Sequence, residues 1–173
     1  MTANYKNRGF TMVEVLVSVV ILAIGLLGLA GLQARNLQFN YSAYERSQAT
    51  LLAYDIIDRM RANLGQAVAQ NYRILLNQAP PVDSQSCQAA GANCNAAALA
   101  AYDLSQWKCS LGRFGVNGIA ASGNCGNTQG ALSQGDGSVT FNGNLVTVTI
   151  TWIDDRSVTG PNSISTFTAS TVL

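Results

Sequence analysis

Glu14 is a carboxylate near the start of an otherwise apolar run, GFTMVEVLVSVVILAIGLLGLAGLQA, from Gly9 to Ala34. Twenty consecutive residues from Val15 to Ala34 carry no charge; at about 1.5 Å rise per residue, such a helix covers the roughly 30 Å hydrocarbon core of a bilayer. An ionisable side chain inside a spanning helix costs roughly 2.5–3.5 kcal/mol, less toward its end. A unit positive charge about 4 Å away, at an effective dielectric of about 20, returns roughly 4 kcal/mol and offsets that cost. No Lys or Arg follows one or two helical turns later. The compensating cation must therefore come from another molecule or from a newly made amino terminus.

Other chemistry is sparse. The sequence contains no His, which removes Ser-His-Asp and Cys-His nucleophiles and His-ligated metals together. Ser, Thr and Lys residues show no nucleophile–base spacing, so neither an enzyme nor a cofactor is expected. Asp136, Asp154 and Asp155 offer oxygens of the type Ca²⁺ takes, but match no EF-hand spacing and read as a solvated turn. Cys87, Cys94, Cys109 and Cys125 all follow the apolar run. No C-x₂-C pair favours zinc, and an even count on the exported side points to two disulfides in an oxidising compartment. Three connectivities are open; sequential pairing, Cys87 with Cys94 and Cys109 with Cys125, closes the shorter loops and is the one expected. The formal net charge of +1 gives no basic surface for nucleic acid.

The elements that must position Glu14 follow from the pattern. Lys6 and Arg8 precede the run and Arg35 follows it, so the positive-inside bias places the first eight residues in the cytoplasm and the rest beyond Arg35 outside. The helix is expected from Thr11 to Asn63, with Gly65 as its stop. Its second half is one-sided, with apolar residues at Leu37, Tyr41, Tyr44, Leu51, Leu52, Ile56 and Met60. Gly25, Gly28 and Gly31 allow close helix packing, at some cost in helix propensity. Pro80-Pro81 ends regular structure, and Val82 to Gly137 reads as a long loop tied down by disulfides, with a short helix over Asn95–Tyr102 and Trp107 as an anchor. Ser138–Phe141 and Leu145–Ile153 form a hairpin about Asn142-Gly143-Asn144, with Val146, Val148, Ile150 and Trp152 on one face. A turn at Gly160-Pro161 leads to a last strand, Ile164–Leu173. The fold class is α+β: a long amino-terminal helix, half membrane-type and half amphipathic, packed on a small carboxy-terminal antiparallel sheet. The expected divisions are residues 1–9, 10–35, 36–65 and 66–173, the last divided into an insert (82–137) and a sheet (138–173).

The stretch Gly9, Phe10-Thr11-Met12-Val13-Glu14-Val15-Leu16-Val17 resembles the leader junction and first helix of type IV prepilins and pseudopilins. The resemblance covers residues 1 to about 35. It implies that a prepilin peptidase cuts between Gly9 and Phe10 and N-methylates Phe10, and that Glu14 meets the freed Phe10 ammonium of a neighbouring subunit. It also implies an inner-membrane precursor with its head in the periplasm, later displayed on a pilus. Its partners would be other minor and major pilins, the peptidase and an inner-membrane assembly platform. A narrower resemblance to minor pilins rests on Val13–Val17, the Gly-Leu-rich helix, Arg59-Met60-Arg61-Ala62-Asn63 and the strand Thr147–Trp152. A type II secretion pseudopilin and a pilus-tip adhesin are the alternatives within the same resemblance.

Overall fold

The computed structural model describes residues 9–82, 87, 93–154 and 163–173. The leader residues 1–8, Asp155 and the turn expected at Gly160-Pro161 lie outside them. The chain forms two compact units, one ending at Asn40 and one spanning Tyr41–Leu173.

Helix α1, Met12–Ala62, begins in the first unit. Every described residue up to Asn40 is exposed, and the α1 segment is long and apolar enough to cross a membrane. The helix passes Gly25, Gly28 and Gly31 without a break. Three glycines at about 1 kcal/mol each do not outweigh the surrounding Leu, Ile and Ala.

In the second unit α1 buries Glu45, Ala49, Ala53, Ile56, Ile57 and Met60, a row spaced by threes and fours. This differs from the face read from the sequence, since Tyr41, Tyr44 and Leu51 are exposed. The contact row is built on alanines because α1 is approached closely: Trp107, wholly buried, donates from Nε1 to the Leu52 carbonyl oxygen at 2.9 Å. Larger side chains at positions 49 and 53 would hold the helix away.

The helix ends at Ala62 and not at Gly65, which lies inside a second short helix, α2, Leu64–Val68. The break is fixed by tertiary bonds. Asn63 Nδ2 donates to the Ala96 carbonyl at 2.8 Å and to the Tyr72 hydroxyl at 3.3 Å, which holds residue 63 at φ −123° and ψ 51°, outside helical geometry.

A third helix, α3, Ala96–Leu111, occupies the middle of the segment expected to be a loop, and is twice as long as the helix expected there. Its buried row is Ala100, Asp103, Leu104, Trp107, Lys108 and Leu111, the repeat of an amphipathic helix with two charges in it. Asn95 caps the start by accepting from the Ala98 N–H at 2.8 Å, and Gly112 at φ 131° ends it. Cys109 of α3 is bonded to Cys125, and Cys87 to Cys94. Cys109, Phe114 and Cys125 form a small second core. Replacing both Cys109 and Cys125 by Ser should lower stability by about 3 kcal/mol, from the 16-residue separation and the chain-entropy relation. Urea titration should show a smaller loss for the corresponding Cys87 and Cys94 pair, whose separation is 7.

Strands β1, Asp136–Asn142, β2, Leu145–Asp154, and β3, Ser163–Val172, form an antiparallel sheet in the order β1-β2-β3. Asn142 pairs with Leu145 across a two-residue turn in which Gly143 has φ +58°, as a hairpin with Gly at its first central position requires. Val146, Val148, Ile150 and Trp152 are buried, as their alternation predicts, and Phe167 and Ala169 of β3 pack beside them. They share one core with Ile56, Ile57 and Met60 of α1 and Leu104 and Trp107 of α3. The observed α+β architecture is the expected one, a long helix packed on a small antiparallel sheet.

Candidate assembly site at the amino end

Gly9 and Phe10 precede α1 in exposed chain, with Phe10 84 % exposed. Thr11 caps the helix: its carbonyl and its Oγ1 both accept from the Glu14 N–H, at 3.1 and 3.3 Å. Thr11 and Glu14 thus stand in the T-x-x-E relation of a capping box, and Glu14 lies in the first turn, where the helix dipole favours a negative charge. This local role was legible in the sequence but is masked when Glu14 is read only as an acid within an apolar run. The geometry fixes three things. The peptide bond between Gly9 and Phe10 is accessible, the residue after it is an exposed aromatic, and the single acid is one turn further on at the helix start.

Residues 4–30 match the model of the prokaryotic N-terminal methylation motif, and residues 31–105 match that of the type IV pilin Tt1218. The chain thus carries a methylation motif over residues 4–30 and is similar to a type IV pilin over residues 31–105. No curated protein and no solved structure matches the chain. The pilin match ends inside α3, so it takes in α1 beyond Ala30, α2 and the start of α3, where the short helix was expected.

Other candidate residues are placed differently from one another. Gly25, Gly28 and Gly31 have nothing within 4 Å of a Cβ built on them; no neighbour within the chain requires glycine there, and the space beside them is open. Asp136 and Asp154 do not lie in a solvated turn. Asp136 is buried in an ion pair with Lys108 and accepts the Asn77 N–H at 2.6 Å and the Gly137 N–H at 2.7 Å. Asp154, also buried, accepts from Ser42 Oγ at 3.0 Å. No group of three or more Cys, Asp or Glu suited to a metal ion exists among the described residues.

Within the stretch of the pilin match, a polar knot joins α1, the chain after α2, and α3. Arg59 bonds Asp55 at 3.0 Å and Asp103 at 3.2 Å, while the buried Tyr72 donates its hydroxyl to Asp103 at 2.6 Å. Burial lowers the Arg59 pKa, but the hydrogen bonds and charges of Asp55 and Asp103 outweigh it and the net shift is upward. The Tyr72 phenol is pushed well above its ordinary value, first by burial and then by its bond to Asp103. Below pH about 10 the phenol is neutral whether the chain is folded or unfolded. The unfolded chain ionises first as pH rises, so the contribution of Tyr72 is intact below that value and is lost as pH climbs through the higher folded value. Tyr72→Phe should cost about 1–3 kcal/mol by leaving Asp103 short of a donor. It should also remove the last phenolate step from an alkaline absorbance titration, and a titration unchanged in that variant would exclude Tyr72 as the late-ionising phenol.

Proposed function

We propose that the chain is a minor pilin of a type IV pilus, similar to the pilus modification protein PilV, made as an inner-membrane precursor. Prepilin peptidase cuts between Gly9 and Phe10 and methylates the new Phe10 amine. The residues beyond Arg35 then lie in the periplasm. The apolar part of α1 holds the subunit in the membrane until it packs against other minor and major pilins at the inner-membrane assembly platform, and Gly25, Gly28 and Gly31 let neighbouring helices approach.

The observation that carries this reading is an accessible Gly9–Phe10 junction directly ahead of a helix that exposes its apolar residues all round up to Asn40. Inside one chain that surface has no cover, and a bilayer or a bundle of like helices is what would cover it. A minor subunit that primes or modifies the filament is favoured by three sequence features: no Pro interrupts the apolar helix, Arg59–Asn63 and Thr147–Trp152 resemble that group, and no cysteine pair closes a final loop. The role is structural and needs no catalytic group.

Intact-mass and peptide analysis of the protein from peptidase-competent cells should find residues 1–9 missing and a monomethylated Phe10. Recovery of filament-incorporated protein that still carries its leader would remove the proposal.

A further inference from the structure

Strand β3 is an edge of the sheet, paired on one side with β2 over Ser163–Val172 in an unbroken register. The Leu173 N–H donates to the Asn144 carbonyl at 3.1 Å, one step beyond that register. Antiparallel partners alternate between bonded and non-bonded pairs, so the odd-numbered residues of β3 exchange bonds with β2 and the even-numbered ones turn their N–H and C=O groups away from it. Ile164, Thr166, Thr168, Ser170 and Val172 thus hold a row of outward donors and acceptors with no backbone partner among the described residues. All five are exposed.

Natural proteins guard such an edge with Lys, Pro, a bulge or a covering element. The strand SISTFTASTV carries no charge and no Pro, and its register has no bulge. Arg61 reaches Thr171 Oγ1 at 3.2 Å, but it is already paired with Asp58 at 3.0 Å. An edge left in this state is a template for another strand.

The order of residues along β3 says which strand fits. Laid antiparallel against itself about Thr168, it sets Ile164 opposite Val172, Thr166 opposite Ser170 and Thr168 opposite its own copy on the outer face. On the inner face Phe167 meets Ala169 and Ser165 meets Thr171. Aliphatic meets aliphatic, hydroxyl meets hydroxyl and large meets small, with no like charges opposed, and the outward donors of each copy face the outward acceptors of the other. Moving the centre to Phe167 would set Ile164 against Ser170 and leave Val172 beyond the end of the partner strand.

We propose that the outer edge of β3 pairs antiparallel with the same edge of a second copy of this chain, joining the two sheets into one. The two-fold axis of that pair stands perpendicular to the sheet and makes the contact isologous. Rotation about it reverses the direction of α1, which shares a core with the sheet. Two chains anchored side by side in one bilayer therefore cannot meet in this way, whereas chains carried on opposing membranes can. A contact of one strand with one strand lies at the low end of interface size, so it is weak singly and strong where many copies on two surfaces engage together. The inference goes beyond the assembly role and uses neither Glu14 nor the apolar half of α1.

The test uses the full chain reconstituted, heads outward, in liposomes of phosphatidylethanolamine and phosphatidylglycerol. Liposomes carrying the chain should cluster, read by light scattering, and Thr168→Lys, which opposes two like charges on the axis, should abolish the clustering. Register is read by cross-linking between two differently labelled liposome populations. Thr168→Cys should give disulfide-linked dimers across the two populations, because a bonded pair holds its Cα atoms about 5.5 Å apart, within reach of a disulfide. Thr166→Cys alone should not, since its two copies lie about 13 Å apart, four residues at about 3.3 Å each. Thr166→Cys on one population with Ser170→Cys on the other should restore the link. Absence of clustering, clustering unchanged by Thr168→Lys, or cross-linking by Thr166→Cys alone equal to that by Thr168→Cys would overturn the proposal. Dimers formed only within one liposome population would overturn the opposed arrangement. None of these readings depends on leader cleavage, so the assembly role stands or falls separately.

Discussion

Lys108→Met should destabilise the Tyr41–Leu173 unit by about 3–5 kcal/mol, the range for removing one partner of a buried ion pair. Lys108 is wholly buried in α3, and its ammonium uses each of its donors: on Asp136, on the Gly137 carbonyl at 2.9 Å and on the Leu75 carbonyl at 3.2 Å. The Phe114 ring lies 5.0 Å from the nitrogen. Methionine fits the stem but leaves the Asp136 carboxylate buried without its cation. Burial pulls the Lys108 pKa below its ordinary value, and the opposing pull of Asp136 does not restore it. The folded chain therefore holds this proton less firmly than the unfolded chain does. At neutral pH the pair fixes the arrangement more than it adds net stability, and removing both charges should be far milder than removing one. In urea titrations followed by tryptophan fluorescence, Lys108→Met/Asp136→Asn should recover most of the loss, because Asn keeps an acceptor for a neighbouring N–H. A double variant as unstable as the single one would show that the pair is net stabilising.

The same residue explains why part of the fold was hidden in the sequence. Strand β2 was legible because Val146, Val148, Ile150 and Trp152 alternate with threonines, and a period of two admits one reading. The second half of α3, beyond Tyr102, was not, because Asp103 and Lys108 occupy its core-facing row and interrupt the apolar repeat there. Each charge is matched only by residues distant in sequence, Asp103 by Arg59 and Tyr72 and Lys108 by Asp136. The buried face of α1 was misread for a related reason: Ala49 and Ala53 carry the contact, while the larger Tyr44 and Leu51 stand outside it. Size identifies burial poorly where two elements must come close. The ends of elements were set by tertiary bonds as well. Asn63 closes α1 through Ala96 and Tyr72, and no local signal names those partners. At the candidate site the balance reverses, since Gly9, Phe10, Thr11 and Glu14 lie within six residues of sequence and their spacing carries the geometry.

That compactness allows the two roles of Glu14 to be separated by magnitude. If its carboxylate serves only its own helix, as an acid in a first turn capped by Thr11, its loss costs about 0.3–1 kcal/mol, too little to change the fate of a subunit held by a long apolar helix. If it answers the Phe10 ammonium of a neighbour in a medium of effective dielectric about 20, the loss is roughly 4 kcal/mol per contact, close to a thousandfold in subunit exchange. Glu14→Ala should therefore leave membrane insertion and leader cleavage intact while reducing the mutant's share of sheared filaments by well over tenfold. Glu14→Gln, which keeps the length but not the charge, should behave like Glu14→Ala, and Glu14→Asp should retain part of the incorporation. Thr11→Ala supplies the control, because it removes the Oγ1 acceptor of the cap without touching a charge, and its effect should stay at the local scale of about 1 kcal/mol. Quantitative immunoblots of membrane and filament fractions measure all four variants. Equal incorporation of Glu14→Ala and Thr11→Ala would confine the acid to its own helix and leave the filament contact to apolar packing alone.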